Sequence, residues 1–197
     1  EDSRDALHWE LQHEEPILFD PAFGCQTLAV WDPTVGKYVA CVREFYKRGK
    51  DRVRGIMRAT SDDFLHWTKL RWLNFGDAPH EHLYTNAVQH HPGAPHIYVG
   101  FPKRFMPGRR PNHHDAKGVS DTVFMSSRDG KKWNRWFEAL IPPGPQPSRW
   151  VNRNNHVAWG LITLPSDLTD APDELNLFSA EGYYVGPCEL RRYTLRQ

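Results

Sequence analysis

The chain has 197 residues, 25 basic and 24 acidic, with a formal net charge of +1. That length suits one domain with a real core, and the charge balance excludes a dedicated nucleic-acid binder, which gathers basic residues on one face. No apolar run reaches the ~18 residues a membrane span requires, so neither nucleic acid nor membrane is an expected partner. The 8 Trp, 10 Phe and 7 Tyr beside 16 Pro and 14 Gly favour short strands and turns over helices. Cys25, Cys41 and Cys188 are too widely spaced for a metal knuckle or redox pair and read as small buried hydrophobes.

In chain order, the motif Ser-x-Asp-x-x-x-Trp comes first, at residues 3–9 (SRDALHW), and returns at 61–67 and 127–133. After it, QTLAVW (26–31), the turn DPTVG and KYVACVREF (37–45) predict a hairpin, because Asp-Pro opens a turn and Gly closes it. The basic run KRGKDRVR (47–54) reads as a solvated loop, and GIMRATS (55–61) as a third strand leading into the second motif. The order repeats with YTNAVQHH (84–91), HIYVGF (96–101), a loop containing RFMPGRRP (104–111), and DTVFMSS (121–127) into the third motif. It begins again with NNHVAWGLIT (154–163), ELNLFSAEGYY (174–184) and CELRRYTLR (188–196).

Each unit is therefore three strands, the motif and a weaker fourth segment, which is the composition of a propeller blade. The predicted fold is all-β: a single partial β-propeller domain of four-stranded antiparallel blades. Its units run over 1–18 (the end of a blade), 19–79, 80–149 and 150–197 (incomplete). The motif's Ser and Asp would close a turn on local backbone N–H groups, and its Trp would pack between blades. Propellers close with about four to eight blades, so missing blades or a second copy are expected to complete the ring.

The innermost strands, CQTLAVW, YTNAVQH and RNNHVAW, begin with Gln26, Asn86, Asn154 and Asn155. Converging amides suit hydroxyl-rich ligands, or else cap loop backbone. Second strands end on Arg43 and Glu44, on Lys103 and Arg104, and on Glu181; Asp121 opens a third strand, and Asp20 and Glu81 precede inner strands. Paired carboxylates are what glycosidic cleavage needs. Glu181 is the candidate general acid and Asp121 the second carboxylate. Arg43, Asn86, Arg104, Asn155, Asp20 and Glu81 are candidate substrate-binding residues, with Tyr84, Trp150, Tyr183 and Tyr184 available to stack on sugar faces. Asp32 of WDP falls at the opposite end of its strand and reads as structural. His80 and His82, in HEH, lack the i, i+4 spacing of a zinc-protease site. No cofactor is expected; a divalent ion in the channel is the lesser alternative. No phosphate-cradling or nucleophile-elbow motif is present.

Four strings, HLYTNAV…APHIYVGFPKRF, SDTVFMSSRDG, NRNNHVAWG and EGYYVGP…LRRYTLR, resemble the later part of glycosyl-hydrolase-like five-bladed propellers of bacteria. That group is related to the invertase and arabinanase clans, and the resemblance runs from about Ser3 to Arg196. It implies the last three blades of five and a saccharide substrate. Those clans carry two of their three catalytic carboxylates at the starts of innermost strands, where this chain has Thr27, Asn86 and Asn155. Two other readings stay open. A non-catalytic propeller that binds glycans or partners predicts carboxylates salt-bridged to Arg43 and Arg104; an assembly unit predicts edge pairing with another copy.

Overall fold

The computed structural model describes residues 3–18, 21–48, 51–109, 117–184 and 186–196. Three antiparallel sheets follow one another along the chain. The first is a meander of β1 (Leu28–Asp32), β2 (Lys37–Arg48), β3 (Asp51–Ser61) and β4 (Arg71–Trp72). Its first turn forms because Asp32 caps it: Oδ1 accepts the Thr34 amide at 2.9 Å and the Thr34 hydroxyl at 2.6 Å. Gly36, at φ +62, then supplies the left-handed residue the turn requires. Asp32 is 1 % exposed and also takes the Tyr98 hydroxyl and, at 3.2 Å, His90 Nε2, so WDP is structural. The basic run 47–54 departs from expectation. β2 and β3 pair as far as Arg48 and Asp51, which places Arg54 opposite Phe45 within the ladder rather than in a loop.

The second sheet comprises β5 (His82–Leu83), β6 (Gln89–His91), β7 (Ala94–Gly100), β8 (Lys103–Met106), β9 (Val119–Ser127) and β10 (Trp133–Ile141). β5 pairs β8, β6 pairs β7, both β7 and β8 pair β9, and β10 lies outside. These are four strand positions, the inner two each broken once. The expected continuous strand 84–91 breaks at Asn86, whose Oδ1 accepts the Val88 amide at 3.1 Å in place of a ladder bond. The second strand breaks at Pro102, which has no N–H to give. Arg104, expected where the second strand ends and a basic loop begins, therefore lies within β8 and is buried.

A 3-10 turn at Pro147–Arg149 leads to the third sheet, where β13 (Glu174–Glu181) pairs with β11 (His156–Val157), β12 (Ile162–Leu164) and β14 (Glu189–Leu195). The described residues contain no α-helix, and no helix is long and apolar enough to cross a membrane.

Two cores lie between sheets. Val39, Cys41, Ile56 and Leu73 of the first sheet and its flank pack on Leu83, Tyr98, Val123, Met125 and Trp133 of the second. Val99, Phe101 and Ile141 of the second pack on Val157, Leu161, Leu175 and Leu177 of the third. Covered on both sides, β9 is buried at seven of its nine positions, which explains its unbroken apolar and small-residue run.

The repeated motif closes the same turn each time. Asp5, Asp63 and Asp129 each accept two backbone amides at 2.8 to 2.9 Å, from Leu7 and His8, Leu65 and His66, and Lys131 and Lys132. The motif tryptophans differ. Trp133 is 2 % exposed, packed between the first and second sheets, and its amide donates to Asn74 O at 2.8 Å; Trp67 is half-buried; Trp9 is 58 % exposed.

Candidate functional site

The inner segments of the three sheets meet at one place. Each holds one non-glycine residue in the left-handed region: Gln26 (φ 59), Ala87 (φ 43) and Asn155 (φ 55). Gln26 belongs to the first sheet's flank, yet its Nε2 donates to Val157 O and its Oε1 accepts the Ala87 amide at 2.9 Å. Asn86 Nδ2 donates to Gln26 O at 2.7 Å. Asn154 gives Nδ2 to Arg149 O at 2.8 Å and takes the Gly182 amide at 2.6 Å. Asn155, fully buried, donates to Ser120 O at 3.0 Å and accepts from Arg149 at 3.2 Å. The amides expected to orient a sugar are thus committed to backbone and to one arginine. They build the site's frame.

On that frame stands a group of cations and rings. Arg43, Arg54 and Lys103 place their charged atoms 5.2, 5.4 and 5.1 Å from the Tyr84 ring centroid. Lys103 is also 4.7 Å from the Tyr183 centroid, and Arg153 lies 5.5 Å from both Tyr183 and Tyr184. Lys103 Nζ donates to Asn152 O at 2.9 Å and to the Tyr183 hydroxyl. His156 meets Tyr183 edge-on at 5.5 Å, and Cys25 Sγ lies 3.8 Å from the Tyr84 hydroxyl. Tyr184 is 90 % exposed and held at φ 64, a conformation a bulky residue adopts only when its surroundings impose it.

Burial lowers the Lys103 ammonium to about 7, with the Arg153 charge adding to the effect. Burial likewise takes His156 down to about 4, helped by Lys103, and lowers Arg54, helped by Arg43. The Arg153 charge acts against Lys103 and the Arg43 charge against Arg54, while a cation gains about 0.5–2 kcal/mol over a ring. The rings moderate the repulsion without removing it.

Among the described residues, the carboxylates expected at this opening are engaged, Glu181 beside the frame through Arg149 and the others farther off. Asp121, 2 % exposed, lies opposite Arg104 in the β8–β9 ladder and accepts its Nε and Nη2 at 2.9 and 2.7 Å. Glu81 accepts Arg104 Nη1 at 3.2 Å and Arg135 at 2.5 Å. Burial alone would lower Arg104, but Asp121 and then Glu81 outweigh it and raise it. Glu181, 4 % exposed, receives Arg149, Arg191 and the Tyr193 hydroxyl at 2.7, 3.0 and 3.0 Å on one oxygen. Glu44 accepts the amides of Ala22 and Phe45. Arg43 reaches the carbonyls of Ala22 and Phe23 at 3.3 and 3.0 Å. Asp20 lies outside the described residues. Among the described residues no group of three or more His, Cys, Asp or Glu is placed to hold a metal ion.

Sequence reasoning missed Arg54, Arg153 and His156. A signal was available: Cys25, Tyr84 and Arg153 are the first residues of the three inner segments, and all three belong to this cluster. A concavity of about 950 Å³ lies on the outer face of the first sheet, lined by Tyr46, Met57, Trp67, Trp72 and His80. It is mainly an apolar sheet face and shares only Phe45 with the cation cluster, near Arg43 and Arg54. The chemistry therefore points to the cluster rather than to the larger space.

No protein-family model matches the chain, and no curated protein matches it. Solved structures do. A protein described as a glycoside hydrolase aligns over 87 % of this chain and 46 % of its own, at TM-score 0.56 and 15 % identity. A protein solved in an RGII complex aligns over the same shares at TM-score 0.56 and 17 % identity. An N-acetylgalactosamine deacetylase from F. plautii, in complex with blood group B trisaccharide, aligns over 78 % of this chain and 39 % of its own, at TM-score 0.53 and 16 % identity. The chain thus spans less than half the length of these proteins, and it shares their fold.

Proposed function

We propose that this chain is the saccharide-binding part of a glycoside-hydrolase-like, five-bladed propeller, with blades at 19–79, 80–149 and 150–197 and the end of another at 1–18. The observation that carries the reading is the cluster where the inner segments converge: Tyr84, Tyr183 and the exposed Tyr184 beside Arg43, Arg54, Lys103 and Arg153. Flat rings cover sugar faces, and forked N–H donors reach hydroxyl oxygens. The fold shared with a glycoside hydrolase supports the same direction.

In this reading Asp121 and Glu181 hold arginines rather than transfer protons. A general acid must present a proton to the leaving oxygen, whereas both carboxyls face guanidinium groups. The hydrolytic alternative, with Glu181 as acid and Asp121 as its partner, requires those pairs to open.

Binding of the whole chain to an array of neutral and acidic oligosaccharides, followed by calorimetric titration of each hit, tests the proposal. Tyr184→Ala, which removes an exposed ring, should weaken binding about tenfold while leaving the unfolding midpoint unchanged. Absence of binding to every oligosaccharide, or indifference to Tyr184→Ala and Tyr183→Ala together, removes it.

A further inference from the structure

We infer that the ligand of this mouth carries an oxyanion, so that its saccharide is acidic, bearing a carboxylate, sulfate or phosphate group, rather than neutral; the inference rests on the saccharide reading above. Four cations, Arg43, Arg54, Lys103 and Arg153, gather on two tyrosine rings within 5.5 Å of a centroid. None of them forms an ion pair with a carboxylate among the described residues. Four other arginines, Arg104, Arg135, Arg149 and Arg191, each hold a carboxylate, whereas Arg58 stands unpaired among the described residues like these four, but alone rather than in a cluster over tyrosine rings.

What Arg43, Lys103 and Arg54 hold by hydrogen bonding is neutral. Arg43 meets only backbone carbonyls, Lys103 a carbonyl and a phenol, and Arg54 the ring nitrogen of His82 at 3.3 Å. Neutral acceptors orient a cation without cancelling its charge. Donors remain to spare: an ammonium has three N–H bonds and Lys103 uses two, while Arg54 Nε is buried with no partner.

The choice between a neutral and an acidic sugar follows from what is already occupied. Neutral hydroxyls are served by amides, which donate and accept without mutual repulsion. Here Gln26, Asn86, Asn154 and Asn155 are bonded to the frame, and the donors without a full set of partners belong to cations. A guanidinium matches an oxyanion with two parallel bonds, and an anion among these four groups would relieve their repulsion. Burial and neighbouring positive charge lower Lys103 and Arg54, as they do for cations whose counter-charge is not built in.

The test is calorimetric titration of the whole chain in low salt at about pH 6, below the Lys103 value of about 7, with sodium glucuronate, glucose and sodium sulfate as probes. Glucuronate should bind about tenfold or more tightly than glucose, and added salt should weaken it. Arg153→Gln and Arg43→Gln should each lower glucuronate affinity about fivefold, Arg153→Gln without altering the unfolding midpoint. Equal binding of glucuronate and glucose overturns the acidic class and leaves the saccharide reading standing. Binding of sulfate with neither sugar keeps the oxyanion site and overturns the saccharide reading. No binding of any probe, or affinities unmoved by both arginine variants, overturns the inference.

Discussion

Lys103 and Arg104 are adjacent on β8 and end in opposite surroundings. Arg104 enters a closed lattice with Asp121, Glu81 and Arg135, in which every charge meets its opposite within 3.2 Å. Lys103 enters the mouth, where its neighbours are Arg54, Arg153 and two tyrosines. Strand alternation sends consecutive residues to opposite faces, so one dipeptide supplies both a structural ion pair and a cation with no carboxylate partner among the described residues. Neighbouring basic residues can thus end in opposite electrostatic surroundings, one paired with carboxylates and the other with rings and neutral acceptors.

That contrast is open to attack where its effect is greatest. Arg104→Met would strand Asp121, whose side chain is 3 % exposed, beside an apolar group, and should destabilise the chain by about 3–5 kcal/mol in denaturant unfolding. The double variant Arg104→Met/Asp121→Asn should recover much of that loss. A single-variant cost below about 1 kcal/mol would mean that the lattice is not a structural unit.

Acid probes the mouth by a different route. His156 titrates at about 4 in the fold against an ordinary 6.5. Between those values the unfolded chain binds the extra proton, so stability rises with pH across the window and is lost as pH falls from about 6.5 to about 4, by about 3 kcal/mol. Unfolding midpoints measured across that range should slope accordingly, and His156→Phe should flatten the slope. Carboxylates such as Asp32, lowered because bonds from Thr34 and Tyr98 outweigh burial, lose their contribution only below their ordinary 3.8, outside this window.

The smallest effect sharpens the comparison most. Lys103→Met removes a buried cation that has no counter-charge among the described residues. It should leave stability within about 1 kcal/mol of the parent or raise it, the reverse of the matching change one residue along. A loss of several kcal/mol, measured in the same denaturant series, would place Lys103 with Arg104 and erase the distinction.

Much of the architecture is legible in the sequence. The Ser-x-Asp turns form as the spacing predicts, because their bonds are local, spanning two or three residues. The hairpin through Asp32 forms for the same reason. The division of charges is not legible, because it depends on what a neighbouring sheet presents. Nothing in FPKRF says that Lys103 meets Tyr183, eighty positions along the chain, or that Arg104 meets Asp121 on the next strand. Arg54 is hidden because a run of lysines and arginines resembles a solvated turn; Val53 and Ile56, one at each of two alternating faces, are the sign that the ladder continues.

Gln26 has one more consequence. A single side chain ties the inner segments of the second and third sheets together from the flank of the first, through the Ala87 amide and the Val157 carbonyl. The mouth is therefore mechanically one piece: its walls cannot spread or rotate independently without breaking that clasp. Under the saccharide reading its ordering takes place during folding rather than at encounter, so a ligand would lose mainly its own freedom on binding.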